Sequence, residues 1–301
     1  MANEVIMLSK TYKNHKSLIL PATVTEKLDG APGDFHHGGF KVMARTRQNE
    51  PILSCDHIKE FLEDDLLPKG HHVIGELYIE GMDFKDISGL VRRKETSDET
   101  RKLVLHIFDY VIDGQPDMTY KERMQAMDKY VGGYLKKDDP VRIVPGTYID
   151  SPEKFDAFMK KFQKDKPNAE GVVIRALEGD KSVYKEGWRS PGMVKLKVTE
   201  TIDLPIAGFE EARSKDGEPL GMVGRIHVWY PAGVDVVGDN HYADHKAIGV
   251  GPGKLTHAQR KEIFANQKEY LGKIIEIAYM PDDSYEALRE ARFHRFRPDK
   301  D

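Results

Sequence analysis

The sequence has a single cysteine, Cys55, among its 301 residues. One cysteine excludes a disulfide bond within the chain and is typical of a protein from a reducing compartment. The sequence also has no apolar run near the roughly 18 residues that a membrane-spanning helix needs. The N-terminal residues include neither a basic start nor a long apolar stretch, so they do not resemble a signal peptide. We therefore expect a cytoplasmic protein without a membrane segment.

An excess of positive charge is missing too. The chain carries 46 Lys and Arg residues against 50 Asp and Glu residues, which gives a formal net charge of −4. The chain as a whole therefore lacks the charge that is typical of a nucleic-acid-binding protein. Binding nonetheless depends on where basic residues lie, so a local cluster can suffice. Basic residues do cluster near the C-terminus: Arg289, Arg292, Arg295, Arg297 and Lys300.

The hydrophobic pattern changes near residue 200. Before it, strand-like segments are mixed with helices, two of which begin at the capping residues Thr119 and Ser151. Strands and helices do not alternate regularly there, which favours an α+β fold over a doubly wound sheet. After it, strand-like segments predominate, with one capped helix at 256–269. We therefore predict a domain of mixed sheets and helices over residues 1–200 and a small β-barrel of the OB type over residues 201–301.

The central candidate for chemistry is Lys27, in the segment Glu26-Lys27-Leu28-Asp29-Gly30. The β-branched residues 22–25 before it predict a strand, and the segment 30–34 after it, with two glycines and a proline, should continue neither strand nor helix. Lys27 therefore lies where a strand ends and a loop can bring backbone close to a ligand. Because most loop lysines are solvated surface charges, the other candidate residues must decide its role.

Two lysines and two glutamates further along the chain suit a phosphate site. Lys195 and Lys197 alternate along a predicted strand, so both can face one way. Two cations on one face can hold an α-phosphate and favour the neutral amine through which a lysine attacks phosphorus. A lysine-rich exposed strand edge is the plain alternative. Glu76 and Glu170 stand at strand ends, where a carboxylate can bind ribose hydroxyls or a magnesium ion.

Arg45 and Phe108 complete the candidate set. Arg45 lies near the end of a predicted strand and suits contact with a phosphate or a 3′ nucleotide. Phe108 lies in the middle of a predicted strand, where its ring can stack on a base or pack into the core. The sequence by itself leaves both alternatives open.

Two other patterns have simpler interpretations. The segment Gly249–Lys254 departs from a phosphate-binding loop, because Leu255 follows the lysine. Histidines occur in two adjacent pairs, His36-His37 and His71-His72. Adjacent side chains diverge rather than converge on one metal, so zinc binding is not expected.

Six short segments resemble, in order, the motifs of covalent nucleotidyltransferases, a superfamily of ATP-dependent DNA ligases, RNA ligases and mRNA capping enzymes. They are centred on Lys27, Arg45, Glu76, Phe108, Glu170 and the pair Lys195 and Lys197. The closest resemblance is to small phage-type ATP-dependent DNA ligases, and it covers most of the chain. Lys27-Leu28-Asp29-Gly30 matches their KxDG nucleophile motif.

The resemblance implies roles for individual residues. Lys27 would form a lysyl-AMP intermediate, and Asp29 would assist the later sealing step. Glu76 and Glu170 would bind the metal. Contacts with the nucleotide or the nick are implied for a larger set: Thr25, Glu26, Lys27, Arg45, Glu76, Phe108, Glu170, Arg189, Lys195 and Lys197.

The C-terminus resembles the last motif of these ligases. Residues 292–300 have the form RFPxxxRxDK, with His294 in place of the proline. By this resemblance, Arg297, Asp299 and Lys300 orient the pyrophosphate leaving group during adenylation. One departure lies near the nucleophile, where the family usually has arginine five positions after the lysine and this sequence has Pro32. Arg47 or Lys41 could take the place of that arginine.

The function implied by the resemblance is ATP-dependent DNA ligation in three steps. Lys27 attacks ATP, AMP passes to the 5′-phosphate of a nick, and the 3′-hydroxyl displaces AMP. The implied cofactors are ATP and Mg²⁺. The implied partner is nicked duplex DNA, around which this protein would wrap as a monomer. Two alternatives stay open: a double-strand repair RNA ligase with the same lysyl-AMP chemistry, and a non-catalytic nucleic-acid-binding module.

Overall fold

The computed structural model describes residues 4–63, 66–167, 169–231, 245–280 and 288–300. The chain forms two compact units, Met1–Lys197 and Val198–Asp301. The first unit contains, in chain order, β1 (Leu8–Thr11), β2 (Ala22–Glu26), β3 (Ala31–His37), β4 (Val42–Thr46), α1 (Asp56–Glu63), β5 (His71–Tyr78), α2 (Phe84–Val91), β6 (Val104–Ile112), α3 (Tyr120–Tyr130), β7 (Val141–Ile143), β8 (Gly146–Ile149), α4 (Pro152–Asp165), β9 (Gly171–Ala176) and β10 (Arg189–Lys197).

Two mixed sheets build the first unit. The first sheet has the order β1-β10-β9-β2-β8, and the second has the order β4-β3-β5-β6-β7. The pairs β1–β10 and β6–β7 are parallel, and the other pairs are antiparallel. The mixed α+β architecture expected from the sequence is confirmed.

The two faces of the second sheet have different surroundings. One face packs against helices in the large core, to which α1 contributes Ile58 and Leu62 at helical spacing. The other face carries Ile74, which packs in a small cluster with Val5 and Ile6 and against the half-buried Phe108. This second face therefore combines a small apolar patch with several of the predicted site residues.

Helix ends follow the local sequence signals. Thr119 and Glu122 form a reciprocal capping box at α3, and Ser151 caps α4 with Pro152 at the first helical position. These two predicted helix starts are confirmed. None of the helices in the described part of the chain is long and apolar enough to cross a membrane.

The segment 30–34 differs from the prediction. Residues 31–34 belong to β3, so the expectation that they continue no strand is wrong. Pro32 is tolerated because β3 pairs with β4 only from Gly33 onward, whereas its pairing with β5 already includes Ala31. A proline at such a strand end removes no donor from a doubly paired ladder.

The second unit is one antiparallel sheet with short helices. It contains β11 (Glu200–Arg213), β12 (Pro219–Pro231), β13 (His245–Val250), α5 (His257–Ala265), α6 (Gln267–Tyr270), β14 (Ile274–Met280) and β15 (Arg289–Phe296). The strand order is β13-β12-β11-β14-β15. The expected closed barrel is not found among the described residues, because β13 and β15 are the sheet edges and a single bridge joins Gly251 to Arg292.

Candidate active site

Lys27 lies at the centre of a charged cluster in the first unit. It directly follows β2, and its backbone N–H donates to the Gly171 carbonyl at 2.8 Å. Its Nζ contacts Oε2 of Glu170, a side chain that is only 4% exposed. The Nζ of Lys197 lies 3.2 Å from Oε1 of the same carboxylate. Glu170 therefore holds two lysine side chains, one with each oxygen.

The strand order of the first sheet brings these residues together. Strand β9 lies between β2 and β10, with Glu26 opposite Val172 and Lys197 opposite Gly171. Residues that follow β2, precede β9 and end β10 consequently meet at one end of these three central strands. Gly171 allows this close approach, because a Cβ there would lie 2.0 Å from the Leu196 carbonyl oxygen.

Lys195 belongs to the same electrostatic group. Partial burial lowers its pKa, and the positive charges of Lys197 and Lys27 lower it further. The prediction that Lys195 and Lys197 occupy one strand near Lys27 is therefore supported by the field that they share. A phosphate group would relieve the mutual repulsion of these ammonium groups.

Glu76 reaches the cluster from the second sheet. Burial raises the pKa of Glu76 to about 8, Lys27 opposes that rise, and Glu170 and Asp29 add to it. Gly30 makes the approach possible, since a Cβ on Gly30 would lie 2.3 Å from the Leu77 carbonyl oxygen and 2.9 Å from Cγ of Glu76. The loop after Lys27 thus contacts the strand that carries Glu76.

Glu76 and Glu170 differ in their fitness to hold a divalent cation. In the described part of the chain, no basic nitrogen lies within 4 Å of the Glu76 carboxylate, so its charge lacks a direct counter-ion. Carboxylate oxygens are ligands that Mg²⁺ prefers, and a bound cation would supply that counter-charge. Glu170 is already engaged by Lys27 and Lys197, so it would have to exchange a lysine for a metal.

Arg175, which was not among the predicted site residues, contacts both Thr25 and Phe108. This arginine is 5% exposed, donates from Nη1 to Oγ1 of Thr25 at 3.0 Å, and places its guanidinium carbon 4.7 Å from the centre of the Phe108 ring. Its Nε is buried without a hydrogen-bond partner. The signal in the sequence was an arginine within the apolar strand Gly171–Ala176.

The remaining predicted contacts of the first unit lie farther from the Lys27 cluster. Arg45 donates to Asp34 at 2.7 Å and to Glu186 at 2.8 Å, and the structure does not pair it with the cluster. Glu26 forms an ion pair with Lys166. Arg189, at the start of β10, donates to the Ser9 carbonyl at 2.7 Å and adds to the positive field at Lys195.

Arg47 is a better candidate than Lys41 to take the place of the arginine that the family usually has where this chain has Pro32. Pro32 itself stands opposite Glu76 across β3 and β5. The positive charge of Arg47 acts on Glu76, and the Nε of Arg47 is buried without a hydrogen-bond partner, 3.6 Å from Oε1 of Glu4. Lys41 is exposed at the far end of the hairpin that joins β3 to β4.

Arg297, Asp299 and Lys300 form an ion cluster in the second unit. Arg297 Nη1 lies 2.6 Å from Asp203 Oδ2, and Lys300 Nζ lies 2.7 Å from the same oxygen. Arg297 also pairs with Asp299 at 2.8 Å and lowers the pKa of Asp299 to about 2. These three residues belong to the second unit, and the Lys27 cluster belongs to the first.

The family of the chain follows from comparison with known proteins. The family model of the ATP dependent DNA ligase domain matches residues 6–197, and the chain belongs to this family. A DNA ligase of African swine fever virus is 24% identical over 250 residues, which cover 80% of this chain and 55% of the viral protein. The chain thus spans about half the length of that curated relative.

Solved structures share the fold. The solved structure named Pmar-Lig_Pre superimposes on this chain with a TM-score of 0.77 at 22% identity. The superposition covers 99% of this chain and 68% of the Pmar-Lig_Pre chain. A Lig E DNA ligase, solved in a study of DNA binding with a minimal scaffold, superimposes with a TM-score of 0.70 at 20% identity. This superposition covers 97% of this chain and 98% of the Lig E chain. At these identities the likeness shows the fold alone.

Proposed function

We propose that this protein is an ATP-dependent DNA ligase that seals nicks bearing a 3′-hydroxyl and a 5′-phosphate. The observation that carries the proposal is the meeting of Lys27, Glu170 and Lys197 at the ends of three adjacent strands, with Glu76 adjoining them, inside the matched ligase domain. A relative named as a DNA ligase, matched over 80% of this chain, supports DNA as the substrate.

In the first step, Nζ of Lys27, as the neutral amine, attacks the α-phosphorus of ATP. A P–N bond forms, pyrophosphate leaves with the electrons of the broken P–O bond, and the attacking nitrogen releases one proton to water. Lys195 and Lys197 bind the α-phosphate oxygens, where negative charge is concentrated in the transition state. Burial lowers the pKa of Lys195, and the positive charges of Lys197 and Lys27 lower it further, so a phosphate anion would be favourable beside it. Glu170 orients the amine of Lys27 before attack.

Glu76, with Glu170, would hold Mg²⁺, which supplies charge neutralisation to the phosphates when bound. Thr25, Glu26, Phe108 and Arg189 contact the nucleotide in this proposal. Buried Arg175 positions Thr25 and Phe108, because it contacts both side chains.

In the later steps, AMP passes from Lys27 to the 5′-phosphate of the nick, and the 3′-hydroxyl then displaces AMP. Asp29 assists this last displacement, and Arg45 contacts the 3′ nucleotide. We further propose that residues 1–200 form the adenylation domain and residues 201–301 an OB-type domain, with one monomer wrapped around nicked duplex DNA. Arg297, Asp299 and Lys300 of the second domain orient the pyrophosphate.

The assignment of Lys27 is tested by forming the covalent adduct. With ATP and Mg²⁺, intact mass spectrometry should show the protein plus one AMP, and Lys27→Ala should lose the adduct while it stays folded. Lys121→Ala is the matched control, because this exposed lysine of the same unit pairs only with Glu178 on the surface. A full adduct on Lys27→Ala would remove Lys27 as the nucleophile.

The substrate is tested by sealing assays on matched nicked DNA and nicked RNA duplexes. The proposal expects faster sealing of the DNA substrate. Faster sealing of RNA would instead identify a double-strand RNA ligase, and adduct formation without sealing of either would contradict both.

A further inference from the structure

A second group of metal-ligating side chains lies on strands β3 and β5. Asp34 and His36 are two residues apart on β3, so their side chains share one face of the sheet. His72 stands opposite His36 on β5, and opposite residues in a sheet also share a face. One ligand atom from each of the three lies within 4.8 Å of the other two.

The geometry of this group is close to that of a metal site. The His36 and His72 rings are stacked, with centres 5.0 Å apart and planes 19° apart. Nδ1 of His72 lies 3.0 Å from Oδ1 of Asp34, and Nδ1 of His36 lies 3.9 Å from Oδ2 of Asp34. Metal–nitrogen bonds of about 2.0–2.1 Å place ligand atoms about 3 to 3.5 Å apart, so small side-chain rotations are sufficient.

His36 shows an unused ligand atom. Its Nδ1 is buried and has no hydrogen-bond partner. An unpaired buried nitrogen is costly, and a metal ion would satisfy it.

The surroundings favour a cation. A cavity of about 350 Å³ is bordered by Asp34, His72, Asp113, Glu186 and Lys185. Three carboxylates, Asp34, Asp113 and Glu186, border it together with two cations, Lys185 and Arg123, and Arg123 already pairs with the buried Asp109. A third cation, Arg45, binds Asp34 and Glu186. The cavity leaves room for water molecules to complete a coordination shell.

We propose that His36, His72 and Asp34 bind a divalent transition-metal ion of the zinc class. Two imidazole nitrogens and one carboxylate oxygen are ligands that zinc and its neighbours accept, whereas Mg²⁺ prefers oxygen ligands alone. Arg45 competes with the metal for Oδ2 of Asp34 and keeps Glu186 when the metal binds. The site shares no ligand with the Lys27 cluster and does not rest on the proposed function.

The experiment is a titration of the full chain with Co²⁺, which reports imidazole coordination through its visible absorption, followed by displacement with Zn²⁺. We expect saturation at one Co²⁺ per chain, and at least a tenfold loss of affinity in His36→Ala and in His72→Ala. His37→Ala is the matched control, because His37 is adjacent in sequence, lies on the opposite face of β3 and accepts a hydrogen bond from Gly39. It should bind Co²⁺ like the parent.

Two further variants test which side chains bind the Co²⁺ ion. Glu170→Gln should keep the binding, since the carboxylates around Lys27 do not contribute. Arg45→Gln should bind Co²⁺ more tightly than the parent, because it removes the competitor for Asp34. Absence of saturable binding in the parent, or parent-like binding by His36→Ala, would overturn the proposal; His36→Gln repeats that test if the alanine variant does not fold. Equal or weaker binding by Arg45→Gln would overturn Asp34 as a ligand.

Discussion

Some single residues in the first unit lie where their charged form is poorly stabilised. Glu76 is the main case, since burial raises the pKa of this carboxyl to about 8. The folded protein therefore keeps a proton that the unfolded chain releases near the ordinary value of 4.5. A raised folded-state pKa contributes stability below pH 4.5, and this contribution is lost as the pH rises toward 8.

The Glu76→Gln variant tests this linkage. Without nucleotide or metal, the free energy of unfolding of the parent should fall between pH 5 and pH 8, by up to about 1.4 kcal/mol per pH unit. The variant cannot lose that proton, so its stability should depend less on pH in urea denaturation. Glu80→Gln, at an exposed position four residues later, should keep the pH dependence of the parent. Identical pH profiles for Glu76→Gln and the parent would contradict the assignment.

Arg175 is a buried cation held by contacts that a lysine cannot reproduce. Its planar guanidinium bonds Thr25 and stacks on Phe108. We expect Arg175→Lys to lose about 1–3 kcal/mol of unfolding free energy and to require more ATP for half-maximal adduct formation. Arg175→Met should show a larger effect on ATP. Unchanged stability and unchanged ATP dependence in both variants would show that Arg175 positions neither side chain.

At the scale of elements, the site is made where strand ends meet. The β2, β9 and β10 ends supply Lys27, Glu170 and Lys197, and β5 supplies Glu76 from the other sheet. Gly30 is the point of closest approach between the loop after β2 and β5. The glycine of the KxDG segment is therefore explained by its close approach to the Leu77 backbone of β5.

Gly30→Ala should push the loop after Lys27 away from β5 at the site. The added Cβ would meet a backbone carbonyl oxygen, which cannot rotate away as a side chain can. We expect a loss of about 1–3 kcal/mol in unfolding free energy, together with strongly reduced adduct formation. Gly89→Ala in α2 is the control, because nothing lies within 4 Å of the new methyl group and alanine favours a helix. Normal adduct formation by Gly30→Ala would refute the close-approach argument.

At the scale of the whole molecule, the proposed chemistry is divided between two compact units. The first unit holds the Lys27 cluster, and the second holds the cluster of Arg297, Asp299 and Lys300 around Asp203. If the second cluster acts on pyrophosphate, it matters only while ATP is consumed. A nick that is already adenylated has no pyrophosphate to release and should not need it.

Arg297→Ala should therefore slow formation of the Lys27 adduct by roughly a hundredfold or more, as expected when a charged contact in a transition state is removed. The same variant should seal a pre-adenylated nick at close to the parent rate. Lys195→Ala should slow both reactions, because the AMP phosphate takes part in each. Arg295→Ala is the nearby control, an exposed arginine that pairs with Glu276. Equal slowing of both reactions by Arg297→Ala would indicate a role in DNA binding or folding.

The sequence by itself determined the ligase family, the mixed α+β class and the caps of α3 and α4. These properties follow from short-range order: alternation, capping residues and motifs in a fixed succession. The Lys27 segment and Glu170 were recognisable for the same reason, since each stands in a short pattern of its own. Their roles in catalysis stay predictions.

Only the tertiary structure decided which distant residues meet. Strand alternation separates His36 from His37 and His71 from His72, as the sequence predicted, yet the register of β3 on β5 brings His36 and His72 together. The contact of Arg175 with Phe108 likewise depends on how two sheets pack. The strand order of the second unit's described residues and the inclusion of Pro32 in β3 depend on which strands find partners. Pairing and register are set by long-range contacts, and no local pattern in the chain encodes them.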